Sequence, residues 1–279
     1  MSLNRDFVAV ARPDLAEVLR SRWLVFCGGL YAILACTFML VGVRESSILG
    51  FTGMGRVLTS FCHALLLVLP LLALTGAGQV VIQARESGAL EMLFSHPFSR
   101  SGYYVAVSLV RYLVLLLPLV ALVMALALYA RLTLVDPLPW GFVARVVAVS
   151  AALLWAFVGI GVLISTAVRG LTRAQTYILL AYGASIALLD FALIGMMLQW
   201  RLRPEGVFVL AALNPVEAAR MALLSSADPE LSVLGPVGFF LATRLGPGRL
   251  CALGVAWPFL VGTLAWLVGL WRFRRDDLV

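Results

Sequence analysis

The sequence predicts an all-α integral membrane protein with six transmembrane helices. Hydrophobic residues make up 62% of the 279 residues, charged residues make up 13%, and long uncharged stretches recur along the chain. Soluble domains are about 45–50% apolar and about 25% charged, so too few polar side chains remain here to cover a water-facing surface. Long alternating strands are absent, and helices are then the structures that satisfy their own backbone in lipid.

Uncharged stretches longer than about 18 residues mark the candidate spans. The predicted spans are residues 23–43, 57–82, 103–130, 143–168, 174–200 and 250–271. The fifth carries a single charge, Asp190, near its midpoint. A bare charge at that depth costs at least ~3 kcal/mol, so we expect Asp190 to face protein or water, paired or protonated. Asp190 either holds two helices together or has a role in transport.

The distribution of arginine predicts the orientation. An even number of spans places both termini on one side, and the segments on that side hold 11 arginines. The segments on the opposite side are longer and hold 8. Because positive residues concentrate in cytoplasmic loops, we expect both termini in the cytoplasm.

A segment before the first span, residues 5–22, has helical periodicity. Its predicted apolar face consists of Phe7, Val8, Ala11, Leu15, Val18 and Leu19. Such an amphipathic helix is typical of a segment that lies on the membrane surface. We expect an interfacial helix on the cytoplasmic leaflet, and a plain solvated leader is the alternative.

A short polar segment, residues 84–98, lies between the second and third spans. Leu90, Leu93 and Phe94 form a small apolar face with charges at its rim, and Pro97 ends the predicted helix. A short helix of this kind is suited to docking into a groove of another protein. The alternative is an ordinary loop between spans.

A long connection, residues 201–249, separates the fifth and sixth spans. Prolines and glycines divide it into short apolar pieces, which predicts a cap of short helices dipping into the outer leaflet. Asn214 and Pro215 mark a helix start, and Glu217 lies in its first turn, where the helix dipole favours an acid. We expect Asn214, Pro215, Glu217 and Arg220 to contact a periplasmic partner or to gate an exit. Simple capping explains Asn214 and Glu217 equally well.

The composition excludes several kinds of chemistry. The chain has no lysine, so it has neither a P-loop lysine nor a Schiff-base lysine. Two histidines, His63 and His96, and four cysteines without a CxxC pair lack the spacing of a zinc site or a hydrolase. We therefore expect no catalytic residues, no metal, no cofactor bound by this chain and no nucleic-acid partner.

The segment ARESGALEMLFSHPFSR resembles the cytoplasmic motif of the type-2 ABC exporter permeases, roughly E-x-G-T-L-E-x-L-x-x-x-P-x-x-R. The matching residues are Glu86, Gly88, Leu90, Glu91, Leu93, Pro97 and Arg100, while Ala89 replaces the usual threonine. The leader, the six spans, LNPVEAARM and the terminal FRRDDL are also similar to this family. GFTG, NPVE and the Phe-Arg-Arg-Asp end resemble its NosY-like subgroup. Ser108 stands where a lysine is usual, and Arg111, one turn further, is expected to substitute for it.

The resemblance implies a homodimer in the bacterial inner membrane with two copies of a separate ABC ATPase, which binds ATP and Mg. Residues 84–98 would be the coupling helix. Its implied ATPase-docking residues are Arg85, Glu86, Gly88, Leu90, Glu91, Leu93, Phe94, Pro97 and Arg100.

The leading functional interpretation is a NosY-like permease that serves maturation of a periplasmic copper enzyme, with a periplasmic NosD-like protein as a further partner. One alternative is an exporter of a drug, lipid or polysaccharide. Another is an ATP-independent scaffold or a secondary carrier. Carriers usually show internal repeats and several intramembrane acids, and this sequence offers only Asp190.

Overall fold

The structure of the chain, a computed structural model, describes residues 3–49, 51–95, 99–133, 140–188, 212–227 and 246–275, and the elements in these ranges are helical. In chain order they are α1 (Leu3–Arg20), α2 (Arg22–Leu49), α3 (Phe51–Ala77), α4 (Val80–Glu86), α5 (Ala89–Phe94), α6 (Arg100–Thr133), α7 (Trp140–Ala167), α8 (Leu171–Gly183), a π-helical turn (Ala184–Leu188), α9 (Pro215–Ala227) and α10 (Gly246–Arg275).

Within these described ranges, four helical segments are long and apolar enough to cross a membrane. They are Ser60–Glu86, Arg100–Tyr129, Trp140–Ala167 and Gly246–Arg275, and they coincide with the predicted second, third, fourth and sixth spans. The predicted first span lies within α2, whose described side chains form a shorter apolar stretch, Arg22–Leu34. The predicted fifth span, residues 174–200, is helical over its described part, as far as Leu188.

Several predictions fall outside the described residues. These are Asp190 and the rest of the fifth span to residue 200, Pro97, the portions 201–211 and 228–245 of the cap, and the terminal residues 276–279.

Helix α7 lies at the centre of the bundle and contacts α3, α6, α9 and α10. Its closest neighbour is α10, because small residues let the two backbones approach. A Cβ atom added to Gly262 would lie 2.6 Å from the Cα of Ala156 and 2.7 Å from the carbonyl oxygen of Trp155. A Cβ atom on Gly159 would in turn meet the backbone of Gly262.

Helix α9 is buried against α10, α7 and α3. Residues on every side of it are inaccessible, including Val216, Ala219 and Leu224. A Cβ atom on Gly254 of α10 would lie 2.8 Å from the carbonyl oxygen of Ala218, so this contact is also backbone against backbone. Residues 215–227 of the predicted cap therefore form an internal helix, whose small residues pack against α10, and residues 246–249 belong to α10 itself.

Helix α1 packs along α6 and divides the predicted apolar face between the bundle and the surface. Val10 and Val18 are buried, whereas Leu15 and Leu19 are 39% and 57% exposed. Val18 packs with Val110 of α6. The helix thus uses one apolar edge against the bundle and leaves the other open, which suits a helix at a membrane surface.

Candidate docking site

Several arginines lie together at one end of the bundle. Arg85, Arg169 and Arg272 line one pocket there, and Arg100 contacts the backbone of Arg274 nearby. We call this the arginine-rich end. The segment that joins α3 to α6, which contains the predicted docking residues, lies here.

A break between α3 and α4 is stabilised by a buried hydroxyl group. The Oγ of Ser165 on α7 accepts hydrogen bonds from the N–H groups of Val81 (2.9 Å) and Ile82 (3.3 Å). Because α4 begins anew at Val80, its first N–H groups have no partner within the helix. Ser165, which is fully buried, satisfies two of them and fastens α4 to α7.

The predicted single helix over 84–98 is wrong, because the structure divides the segment at Gly88. Gly88 has φ +72°, a left-handed conformation that favours glycine, and it caps the N-terminus of α5. Arg85 and Glu86 accordingly belong to α4, at the end of the second span. Helix α5 covers only Ala89–Phe94 and ends before Pro97.

The apolar side of α5 faces its own chain, which corrects the predicted outward ridge. Leu90 is 1% exposed, and Leu93 and Phe94 pack against the core. The ring of Phe94 lies 6.1 Å from that of Tyr103 in an edge-to-face arrangement, and 6.4 Å from that of Phe273. A short isolated helix is unstable in water, so these three contacts are what hold it in place.

The opposite side of α5 is open. Ala89, Glu91, Met92 and Ser95 are exposed, Met92 to 75%. We call these four residues the outward face of α5. Of the predicted docking residues, only Glu91 belongs to it.

Aromatic rings connect α5 to the interior of the bundle. Phe273 of α10 lies 5.9 Å from Tyr103 and 5.6 Å from Tyr104, measured between ring centroids. Tyr104 lies 5.5 Å from Trp266, and its hydroxyl donates to the Trp266 carbonyl oxygen at 3.0 Å. Trp266 in turn lies 6.3 Å from Trp155 of α7. A continuous row of ring contacts thus connects α5 with α6, α10 and α7.

Two other predicted docking residues bind elements of their own chain. Arg100 Nη1 donates to the carbonyl oxygen of Arg274 at 3.3 Å, and Arg274 Nε donates to Ser101 Oγ at 2.8 Å, which joins the start of α6 to the end of α10. Glu86 Oε1 accepts a hydrogen bond from the N–H of Leu171 at 3.2 Å, at the N-terminus of α8. A carboxylate is favoured there by the helix dipole.

The residues predicted to contact a periplasmic partner or gate have structural contacts. Asn214 is 2% exposed; its Oδ1 accepts from the N–H of Val216 at 3.0 Å, and its Nδ2 donates to the carbonyl oxygen of Ser185 at 2.6 Å. Pro215 follows as the first helical residue, a position that proline favours. Glu217 pairs with Arg220 at 2.8 Å, one turn apart. Capping therefore accounts for Asn214, which is too buried to contact a partner.

A half-buried ion pair joins α1 to α6. Arg111 Nη2 of α6 lies 3.0 Å from Asp14 Oδ1 of α1, and the two side chains are 14% and 13% exposed. The sequence singles out Arg111 but not its partner, because Asp14 lies among apolar residues of α1. Burial raises the pKa of the Asp14 carboxyl above 3.8; the Arg111 guanidinium opposes this shift, and Glu17 adds to it.

Among the described residues, no group of three or more His, Cys, Asp or Glu side chains converges to hold a metal ion. Cys27, Cys36, Cys62 and Cys251 are free thiols.

Several apolar helices long enough to cross a membrane, packed around a central α7, define a multi-pass membrane protein. Residues 8–278 match the model of a family described as ABC-2 family transporter protein. The chain therefore belongs to the ABC-2 transporter family, whose members are the membrane subunits of ABC transporters.

The chain is similar to two curated relatives, each named as a probable ABC transporter permease protein NosY. The relative from Stutzerimonas stutzeri is 27% identical over 264 residues, which cover 92% of each chain. The relative from Pseudomonas aeruginosa is 26% identical over 226 residues, which cover 78% of this chain and 82% of the relative. The similarity to NosY permeases thus extends across the spans and the connections alike.

Proposed function

We propose that this permease works with a separate ABC ATPase, which contacts the outward face of α5 on the cytoplasmic side of the membrane. The observation that carries this proposal is the division of α5 into two sides. Leu90, Leu93 and Phe94 fix it to the bundle, while Glu91 and Met92 are exposed on a helix of six residues. ATP binding and hydrolysis, with Mg, belong to the ATPase subunits.

The close packing of α5 against the bundle is what would make it a coupling element. A force applied to Met92 or Glu91 reaches Leu90 and Phe94 within the same short helix. From Phe94 it passes to Tyr103 and Phe273, at the ends of α6 and α10. A loosely attached loop would absorb such a push, whereas a packed helix transmits it to the spans.

The similarity to NosY permeases supports a narrower assignment: a homodimer of this chain that serves maturation of a periplasmic copper enzyme. In this proposal both termini are cytoplasmic, the membrane is the bacterial inner membrane, and a NosD-like protein is the periplasmic partner. Adjacent genes for an ATPase and a repetitive periplasmic protein would favour this assignment. An adjacent ATPase gene alone would favour an exporter of a drug, lipid or polysaccharide.

The docking proposal is tested by reversing one charge on the outward face of α5. Glu91→Arg should weaken co-purification with the ATPase, because interface anchors contribute about 2 kcal/mol or more, or roughly thirtyfold in affinity. Met92→Asp should act in the same direction. The measurement is the amount of ATPase retained on tagged permease in detergent, together with permease-stimulated ATP hydrolysis.

Glu17→Arg is the matched control for that experiment. Glu17 is also an exposed glutamate, but it lies on α1, and reversing its charge relieves repulsion of Asp14. Leu93→Asp should instead lower the thermal unfolding midpoint, because Leu93 packs against the core. ATPase retention that is equal for Glu91→Arg, Met92→Asp and the control would refute docking on this face.

A further inference from the structure

A pocket of about 390 Å³ lies at the arginine-rich end, away from the outward face of α5. Four arginines from four parts of the chain line it: Arg85 of α4, Arg169 of the α7–α8 connection, Arg173 of α8 and Arg272 of α10. Tyr177 of α8 lines it as well. This volume falls within the range of about 300–1,000 Å³ that is common for ligand sites.

Three of the four arginines carry positive charge that no ion pair balances within the residues that the structure describes. There, no carboxylate pairs with Arg85, Arg169 or Arg173, and the buried Nε of Arg85 has no hydrogen-bond partner. Glu86 is next to Arg85 in sequence, but its Oε1 binds the N–H of Leu171. Like charges around one pocket repel each other, so an anion between them lowers the free energy of the arrangement.

The arginine side chains of this pocket favour a phosphate group over a carboxylate as the bound anion. A guanidinium group is planar and offers paired N–H donors that match phosphate oxygens. The pocket gathers several such groups on one volume, with the aromatic ring of Tyr177 at its edge. One carboxylate would use only a fraction of these donors.

Helix α8 indicates where that phosphate comes from. Arg173, Tyr177 and Leu180 follow one another at intervals of four and three residues, so they lie on one face of the helix. Tyr177 is 52% exposed and Leu180 60% exposed. Over about 10 Å of helix the face changes from charged to aromatic to aliphatic, which is the order of headgroup, interface and acyl chain in a membrane leaflet.

We propose that the four-arginine pocket binds the phosphate of an anionic phospholipid headgroup, with the acyl chains lying along Tyr177 and Leu180 of α8. The bound phosphate joins α4, α8 and α10 around the end of α7. Because α4 leads directly into α5, a lipid that holds α4 in place also restricts the position of α5. Binding requires only the permease, so it is measured without an ATPase and is independent of the docking proposal.

The test uses the full chain purified in detergent and titrated with phosphatidylglycerol or with phosphatidylcholine. Bound lipid is counted by native mass spectrometry, and the thermal unfolding midpoint is recorded in parallel. We expect phosphatidylglycerol to bind more tightly and to raise the midpoint. Arg173→Gln and Arg85→Gln should each weaken its binding roughly fivefold. Arg173→Lys keeps the charge but loses the planar guanidinium group with its paired donors. Its affinity for phosphatidylglycerol should lie between those of the wild type and Arg173→Gln.

Arg12→Gln is the matched control, because Arg12 is an exposed arginine of α1 outside the pocket, and its variant loses the same charge. It should bind phosphatidylglycerol as the wild type does. Unfolding midpoints in phosphatidylcholine verify that each variant is folded.

Three results would overturn the proposal. Equal weakening by Arg12→Gln and Arg173→Gln would mean diffuse attraction to the membrane. Stabilisation by inorganic phosphate or glycerol phosphate equal to that by phosphatidylglycerol would mean a soluble ligand. Unchanged lipid binding in Arg173→Gln, with loss of ATPase co-purification, would mean that the pocket accepts an acidic side chain of a protein.

Discussion

The contact between α7 and α10 leads to a quantitative prediction for Gly262→Ala. The added Cβ would lie 2.6 Å from the Cα of Ala156, and ordinary contacts begin at 3.4 Å, so the two backbones must separate by about 0.8 Å (3.4 − 2.6). No flexible side chain can move aside, because the nearest atoms belong to the backbone of α7. A gap of 0.5–1 Å already forfeits about a quarter to a half of a van der Waals contact along such a seam.

The magnitude follows from two opposing terms. Alanine favours a helix over glycine by about 1 kcal/mol, and overpacking of a close contact costs about 1–3 kcal/mol. Gly28→Ala is the matched control, because Gly28 lies within α2 and a Cβ atom there meets nothing within 4 Å. The gain in helix propensity on replacing glycine by alanine is common to both variants. The free energy of unfolding of Gly262→Ala should therefore lie about 1–3 kcal/mol below that of Gly28→Ala.

Thermal unfolding in detergent, followed by tryptophan fluorescence, measures the difference. Trp155 is a suitable reporter, since its Nε1 donates to Thr263 Oγ1 at 3.0 Å across the same contact. Gly262→Ala should also weaken the proposed coupling between the ATPase and the spans, because α10 carries Phe273, against which Phe94 of α5 packs. Equal midpoints for the two variants would refute the inference that this approach is as close as described.

Two further predictions concern buried polar contacts. Because the pKa of Asp14 is raised in the folded chain, the folded chain binds more protons than the unfolded chain between pH 3.8 and that raised pKa. The contribution of Asp14 to the free energy of unfolding is therefore fully present below pH 3.8. It is lost as the pH rises through the folded-state pKa. Asp14→Asn should flatten this part of the stability profile, and an unchanged profile would contradict the assignment. Ser165→Ala should cost about 1–3 kcal/mol by leaving two buried N–H groups without an acceptor. Thr176→Ala, at an exposed hydroxyl that bonds only within its own helix, should cost little, and equal losses would argue against the role of Ser165.

Residues 84–98 illustrate how much a residue pattern alone can predict. The apolar triad Leu90, Leu93 and Phe94 is visible in the sequence, and helical spacing places it on one side of α5. Periodicity cannot tell whether that side meets a partner or the same chain. Tyr103 and Phe273, which receive Phe94, are far apart in the sequence, so only their packing turns the triad inward and leaves Glu91 and Met92 outside.

The sequence by itself determined the membrane class, the positions of most spans and the lack of a lysine-based nucleotide site, because these depend on composition and on the length of apolar stretches. It also marked Asn214 and Pro215 as a helix start, which follows from local spacing, while the family resemblance singled out Arg111. The tertiary structure alone decided what Arg111 pairs with, which face of α1 turns inward and that α9 is internal. It also brought Arg85, Arg169, Arg173 and Arg272 to one pocket. These features depend on contacts between residues distant in the chain, and such contacts are set by how helices pack rather than by any local pattern.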